Sequence, residues 1–180
     1  MKIFSLLSIS MVAAALAITV GNAAESAATP VIKTNIENAS SSFVVRAAQG
    51  GILEVEAGKL AVSKSSNADI KAFAQQMIND HGKANIELEQ LAGTRYPVPK
   101  KLDADHQAKL ELLMTKSGSE FDQAYSKEMV RDHVTVIKLF TEAANDNSVN
   151  SDLRQFASRT LPTLQQHHVL STKLPGDAAK

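Results

Sequence analysis

Three features of the sequence predict an all-α protein built as a four-helix bundle. Apolar residues recur at steps of three and four along four long stretches, which lines them up on one face of a helix. Residues that start or stop helices punctuate those stretches: Asn67, Gly93, Asp103, Gly118 and Ser151. The 25 residues between Gly93 and Ser119 are enough chain to run back along the bundle. The second and third long helices are therefore expected to be parallel.

The chain begins with a segment that does not belong to this pattern. Met1-Lys2 is positive, Ile3 to Val20 is mostly apolar, and the small residues Gly21, Asn22, Ala23 and Ala24 follow. That order is the layout of a secretory signal peptide, so residues 1–23 are expected to be removed, with cleavage after Ala23 or Ala24. Residues 24–42 are rich in Ala, Ser, Thr and Asn, hold Pro30 and show no period. They are expected to form a flexible leader. Residues 43–175 carry the bundle, and 176–180 are expected to be a disordered tail.

The first helix should run from Phe43 to about Ser66, with Val45, Ala48, Ile52, Val55 and Val62 facing inward. Asn67 should cap the second, whose stripe is Ile70, Phe73, Met77, His81, Ala84, Leu88 and Leu91. Gly93 should stop it. Tyr96-Pro97-Val98-Pro99 cannot be helical and should be extended. Asp103 should cap a short crossover helix reaching about Lys116. A third long helix should follow, with Ser119 and Asp122 close to a capping box. Its stripe is Phe121, Tyr125, Met129, His133, Val136, Phe140 and Ala143. After the polar loop Asn145–Asn150, Ser151 should cap the last helix. That helix carries Leu153, Phe156, Thr160, Leu164, His167 or His168, and Leu174, with a kink at Pro162. A four-helix bundle with one long crossover, here containing a short extra helix, is ferritin-like in topology.

Composition excludes several functions. Lys and Arg total 19 and Asp and Glu total 19, so the chain has no net charge that would suit nucleic acid. Without cysteine there is no disulfide, thiolate metal site, cysteine nucleophile or lipidated anchor. No later apolar run is long enough to span a bilayer, and no series of alternating strands suggests a membrane β-barrel. An exported, periplasmic protein is expected, with association with the outer membrane as the alternative. No phosphate loop or nucleophile elbow is present.

One repeat carries chemistry. Met77-Ile78-Asn79-Asp80-His81 recurs as Met129-Val130-Arg131-Asp132-His133. In each copy Met and His are four apart, hence on one helical face, and that face is the apolar stripe. His81 lies 14 residues after Asn67 and His133 lies 14 after Ser119. Both imidazoles are then about 21 Å from the same end of the bundle. Counted back from Ser66, Glu54 on the first helix falls at about 18 Å and Glu56 at about 15 Å. His167 on the last helix counts out about two turns lower. Imidazoles with a carboxylate suit iron, zinc or manganese, and thioethers from Met77 and Met129 would favour copper. The structural alternative is ordinary core packing. Methionine commonly fills apolar stripes, and a buried histidine is commonly satisfied by one hydrogen bond. Asp80 and Asp132 point about 100° from their neighbouring histidines, toward an adjacent helix or the surface. Asp80 also has Lys83 within reach for a same-face pair. His167 and His168 are adjacent, so only one can face inward. His106 opens the crossover helix and is expected in solvent. Gly50, Gly51 and Gly58 each weaken the first helix by about 1 kcal/mol, which fits close approach of a neighbouring helix or room for a ligand.

These segments resemble a bacterial family, the domain of unknown function 4142, a group also labelled "predicted outer membrane protein". The likeness spans about Phe43 to Leu174. It rests on Glu54-Val55-Glu56-Ala57-Gly58-Lys59-Leu60-Ala61, on Phe73 to His81, on Ser117-Gly118 with Phe121-Asp122, on Met129 to His133, and on Phe156-Ala157 leading to Leu161-Pro162-Thr163-Leu164-Gln165-Gln166-His167. The resemblance implies an exported, ferritin-like helical bundle and no established activity. By position it marks Glu54, His81, His133 and His167 as the polar residues of interest. Di-iron ferritin-like proteins use a Glu-x-x-His pair on each of two helices. Here Ile78, Val130 and Leu164 stand three places before the histidines, so ferroxidase chemistry does not follow. The sequence thus points first to an exported binding or stress-related bundle without catalysis of its own. Its alternative is a protein binding iron, copper or zinc through Glu54, His81, His133 and His167. A metal-dependent oxidoreductase ranks third. The ligand, partner and oligomeric state are not encoded in any pattern found.

Overall fold

The computed structural model describes residues 23–175. Five helices account for the fold: α1 (Ala23–Lys64), α2 (Ala68–Ala92), α3 (Ala104–Met114), α4 (Gly118–Asn145) and α5 (Ser151–Ser171). The protein is an all-α bundle, as the periodicity predicts. The expected signal segment, apart from Ala23, and the expected tail beyond Pro175 lie outside the described residues.

Side-chain caps set several boundaries. The Asn67 side chain accepts from the backbone N–H groups of Asp69 and Ile70, and Asp103 accepts from that of His106. Gly93, at φ 54°, ends α2 in the left-handed region that glycine tolerates. Two caps differ from expectation. The α5 cap is Asn150, whose side chain accepts from Asp152 N–H, rather than Ser151. Helix α4 starts at Gly118 behind Ser117, so Ser119 lies inside it. The largest difference is upstream: α1 begins at Ala23 and includes the stretch expected as a flexible leader. Once a helix exists, each added residue gains a hydrogen bond for two dihedrals fixed, so the Ala-rich stretch extends it. Ser40 is fully buried, and its hydroxyl accepts from Asn150 N–H at 2.8 Å.

Two apolar clusters define the topology. One joins the first half of α1 (Phe43 to Ala48), the end of α2 (Leu88, Ala92), the end of α4 (Val136 to Ala143) and the start of α5 (Leu153 to Leu164). The other joins Ala57 and Ala61 of α1, Ile70 to Met77 of α2, Phe121 to Met129 of α4, and Leu174. Helices α2 and α4 therefore run parallel, α1 and α5 run the opposite way, and the α3 segment is the long crossover. The crossover is clamped to α1 at both ends. Gln49 Nε2 donates to Lys101 O at 3.0 Å while its Oε1 accepts from Asp103 N–H at 2.9 Å. Lys64 Nζ donates to Met114 O and to Lys116 O, the latter at 2.7 Å.

The inward face of α1 also differs from the expected stripe. Phe43, Val44, Ala47, Ala48, Leu53, Glu54, Ala57 and Ala61 are buried, so Ala48 faces inward as expected, while Val45, Ile52, Val55 and Val62 are only partly covered. The buried face is turned about one residue from the expected stripe, and its small residues permit close approach of α2. A Cβ on Gly58 would lie 3.0 Å from both the Ala74 carbonyl oxygen and Ile78 Cγ1. One on Gly50 would meet nothing within 4 Å. The two glycines should respond oppositely to the same substitution. Gly50→Ala should raise stability by about 0.5–1 kcal/mol through helix propensity. Gly58→Ala should lower it by about 1 kcal/mol or more through overpacking against backbone. Urea unfolding followed by circular dichroism measures both.

Candidate metal centre

Between the two apolar clusters lies a thin polar layer, and each long helix contributes one residue to it. On α1, Glu54 falls between Ala48 of one cluster and Ala57 of the other. On α2, His81 falls between Met77 and Leu88. On α4, His133 falls between Met129 and Val136. On α5, His167 falls between Leu164 and Leu174. All four side chains are buried: Glu54 is 1% exposed, His81 5%, His133 0% and His167 1%.

The residues touch. His81 Nδ1 lies 2.8 Å from Glu54 Oε2, and His133 Nε2 lies 3.4 Å from Glu54 Oε1. The imidazole centroids are 5.8 Å apart for His81 and His133, 5.2 Å for His81 and His167, and 5.4 Å for His133 and His167. One nitrogen from each of the three rings lies within 4.8 Å of the other two. Each ring is fixed by an oxygen on one side. His81 Nδ1 faces Glu54, His133 Nδ1 donates to Met129 O at 2.8 Å, and His167 Nε2 donates to Asp80 Oδ2 at 3.0 Å. The other nitrogen of each ring (Nε2 of His81, Nε2 of His133 and Nδ1 of His167) has no hydrogen-bond partner, and neither Glu54 oxygen has one of regular geometry.

His167 stands level with the other histidines, two turns higher than the sequence count placed it. The count assumed that the helices end flush. Helix α5 stops at Ser171, and Thr172 to Pro175 complete that end of the bundle instead, with Leu174 buried and Pro175 O accepting from Ser126 Oγ at 3.0 Å. His168 is only half-buried, so one of the adjacent pair faces inward. Asp80 serves the neighbouring helix through His167 and makes no pair with Lys83. Asp132 likewise reaches α3, where Lys109 Nζ lies 2.5 Å from its Oδ1 and 3.0 Å from Glu128 Oε1. His106 is partly covered, with Nδ1 2.7 Å from its own helix cap Asp103. Met77 and Met129 are buried in the apolar cluster. Lys109 and Gln49 escaped sequence reasoning because neither stands in a pattern. Tyr125, read only as a stripe residue, is buried with its hydroxyl unpartnered.

Electrostatics follow from this burial. Desolvation pushes the Glu54 carboxyl upward, but the charges of His81 and His133 and the His81 contact outweigh it and hold the group at about 2. His81 is the reverse: burial opposes its charge, and Glu54 more than restores it, so its pKa lies above the usual 6.5. Burial dominates at the other two rings. It lowers His133 and, with the charge of His81, pushes His167 down to about 4. Burial and then the Glu54 charge raise the Tyr125 hydroxyl. Asp132 is raised to about 6 by desolvation and the Glu128 charge, against the pull of Lys109.

A buried carboxylate ringed by imidazoles, in an all-α bundle, defines a helical protein with a compact internal donor cluster. Residues 23–174 match the family described as domain of unknown function DUF4142, and the chain belongs to that family. No curated protein and no solved structure matches it. No helix among the described residues is long and apolar enough to cross a membrane.

The pKa shifts set the acid behaviour of the metal-free protein. His167 is depressed from 6.5 to about 4, so its contribution to stability is present above pH 6.5 and lost as the pH falls through 4. Glu54 is depressed from 4.5 to about 2, so its contribution is present above pH 4.5 and lost toward pH 2. His81, being raised, acts oppositely and loses its contribution above pH 6.5. The urea midpoint of metal-free protein should fall as the pH is taken from 6.5 to 4, and His167→Gln should flatten that fall. Separately, Glu54→Ala should lower the urea midpoint of the metal-free protein at neutral pH, since it leaves His81 Nδ1 buried without its 2.8 Å partner, a loss of about 1–3 kcal/mol.

Proposed function

We propose that this protein binds one divalent first-row transition-metal ion, of the zinc, iron or copper class, in the polar layer of its bundle. The observation that carries the reading is the pairing pattern of the rings. Three buried imidazoles each have one nitrogen set against an oxygen and the other left without a hydrogen bond, that of His133 facing Glu54 Oε1 at 3.4 Å. That is how ligating histidines are normally oriented by their outer partners, which fix tautomer and direction. A buried polar atom without a partner carries a desolvation cost of about 1–3 kcal/mol, and a bound cation would remove it for several atoms at once.

Glu54 fits the same reading as a fourth donor on the His133 side once its Oε2 leaves His81 Nδ1, since a carboxylate held there cannot also reach an ion on His81 Nε2. Two ligands each about 2.0–2.1 Å from a tetrahedral ion lie about 3.3–3.4 Å apart. The Glu54 Oε1 to His133 Nε2 separation is 3.4 Å. One nitrogen of each ring lies within 4.8 Å of the other two, so the rings would turn inward to close around the ion. Nitrogen and oxygen donors suit borderline divalent ions, and the absence of cysteine removes the softest choice. In this reading the protein holds the ion in the bacterial periplasm, the compartment expected from the Met1–Ala24 pattern, within a ferritin-like bundle that lacks the Glu-x-x-His di-iron set.

The test is metal content. Protein purified from cells supplemented with iron, copper, zinc and manganese should carry about one ion per chain. His81→Ala and His133→Ala should each lower affinity by about 10–100-fold or more while helix content is retained. Substoichiometric metal that is unchanged in both variants would mean that the cluster is a purely structural polar layer.

A further inference from the structure

A cavity of about 170 Å³ lies between α1, α3 and α4, and its lining includes Glu54. The cavity and the imidazoles therefore share one carboxylate. Leu53 and Leu139 supply apolar wall, Gly50 leaves room on the α1 side, and Asp132 and Lys109 also line it. A space of this size has room for several waters, as a partly hydrated metal ion requires.

Lys109 is the informative group. Its ammonium lies against Glu128 and Asp132, two carboxylates one turn apart on α4 that are 6% and 9% exposed. It thus occupies the position that an incoming cation would take. The Lys109 side chain is 39% exposed, so it has solvent to move into. Asp132 Oδ2 has no hydrogen-bond partner, and Glu54, whose Oε1 faces His133 only at 3.4 Å, lies buried beyond it. A divalent ion crossing bare apolar packing would shed its hydration with nothing to replace it. A path lined by carboxylates replaces its waters one after another and lowers that barrier.

We propose that this cavity is the loading route of the metal centre, with Lys109 the charge displaced from Asp132 as the ion moves toward Glu54. The inference rests on the metal reading given above. A route differs from a ligand in its kinetics. Changing a route alters association and dissociation together and leaves the equilibrium constant unchanged, whereas changing a ligand alters the equilibrium.

The experiment is stopped-flow loading of Zn²⁺ into metal-free full chain, read by a chromophoric zinc indicator, with equilibrium titration and circular dichroism on the same samples. Gly50→Leu fills the cavity from a position where a Cβ meets nothing within 4 Å. Asp132→Asn removes the intermediate charge without changing shape. Both should slow uptake and release by about tenfold, about 1.4 kcal/mol of barrier, with the dissociation constant within about twofold of wild type. Lys109→Gln should load faster than wild type. If wild type takes up no stoichiometric zinc, the metal reading falls and the route with it. If wild type loads but Gly50→Leu and Asp132→Asn load at its rate, the route alone is overturned. Variants that weaken equilibrium binding without slowing release would also overturn it, by assigning those positions to holding the ion.

Discussion

The carboxylate of Glu54 is almost fully removed from water at mid-height in the bundle, and much of the architecture answers that constraint. An ionised carboxylate in such surroundings is tolerable only beside a positive partner or a cation. His81 stands against it at 2.8 Å and His133 at 3.4 Å, and His167 packs on both of those rings. The four donors come from four different helices. Satisfying Glu54 therefore fixes the axial register of all four relative to one another. A purely apolar interface would tolerate slippage by a turn, but one in which a carboxylate must meet imidazoles from two other helices, with a third ring packed on them, does not. Polar groups inside a core are known to set register in this way in other helical assemblies.

The layer can be this compact because of the residues around it. Small side chains on α1, with Gly58 against the Ala74 carbonyl, bring α1 and α2 close together. Ending α5 at Ser171 and completing that end with the turn through Leu174 brings His167 to the level of the others. The crossover, held to α1 by Gln49 and Lys64, lays α3 across the gap between α1 and α4. In that position Lys109 balances two further buried carboxylates, and the cavity that reaches Glu54 is defined. Scaffold and candidate site are thus one system of packed charges.

Membership in DUF4142 describes relationship without chemistry. The cluster gives chemical content that the family description lacks: three ring nitrogens without partners and one carboxylate shared with a cavity. That donor set departs from the paired Glu-x-x-His arrangement of di-iron bundles, since the positions three before each histidine are apolar. The proposed single-ion centre follows from the residues present and borrows nothing from that chemistry.

The all-α class, the α2 and α4 stripes, the caps at Asn67 and Asp103 and the inward aim of His81 and His133 were all legible in the sequence. Each depends on neighbours within four residues, and helical periodicity records such relations directly. The inward face of α1 was legible only in part: Ala48 was placed correctly, but apolar residues occur on both sides of it, and Val44, Ala47 and Leu53 are buried where Val45, Ile52 and Val55 were expected. The level of His167 was not legible either, because it depends on where α5 stops relative to three other helices. The partnership of Asp80 with His167 and of Asp132 with Lys109 could be anticipated only as a direction away from the neighbouring histidine. Spacing along one chain fixes which residues share a face. Which faces meet, and at what height, depends on how whole helices pack, and only the tertiary structure decides that.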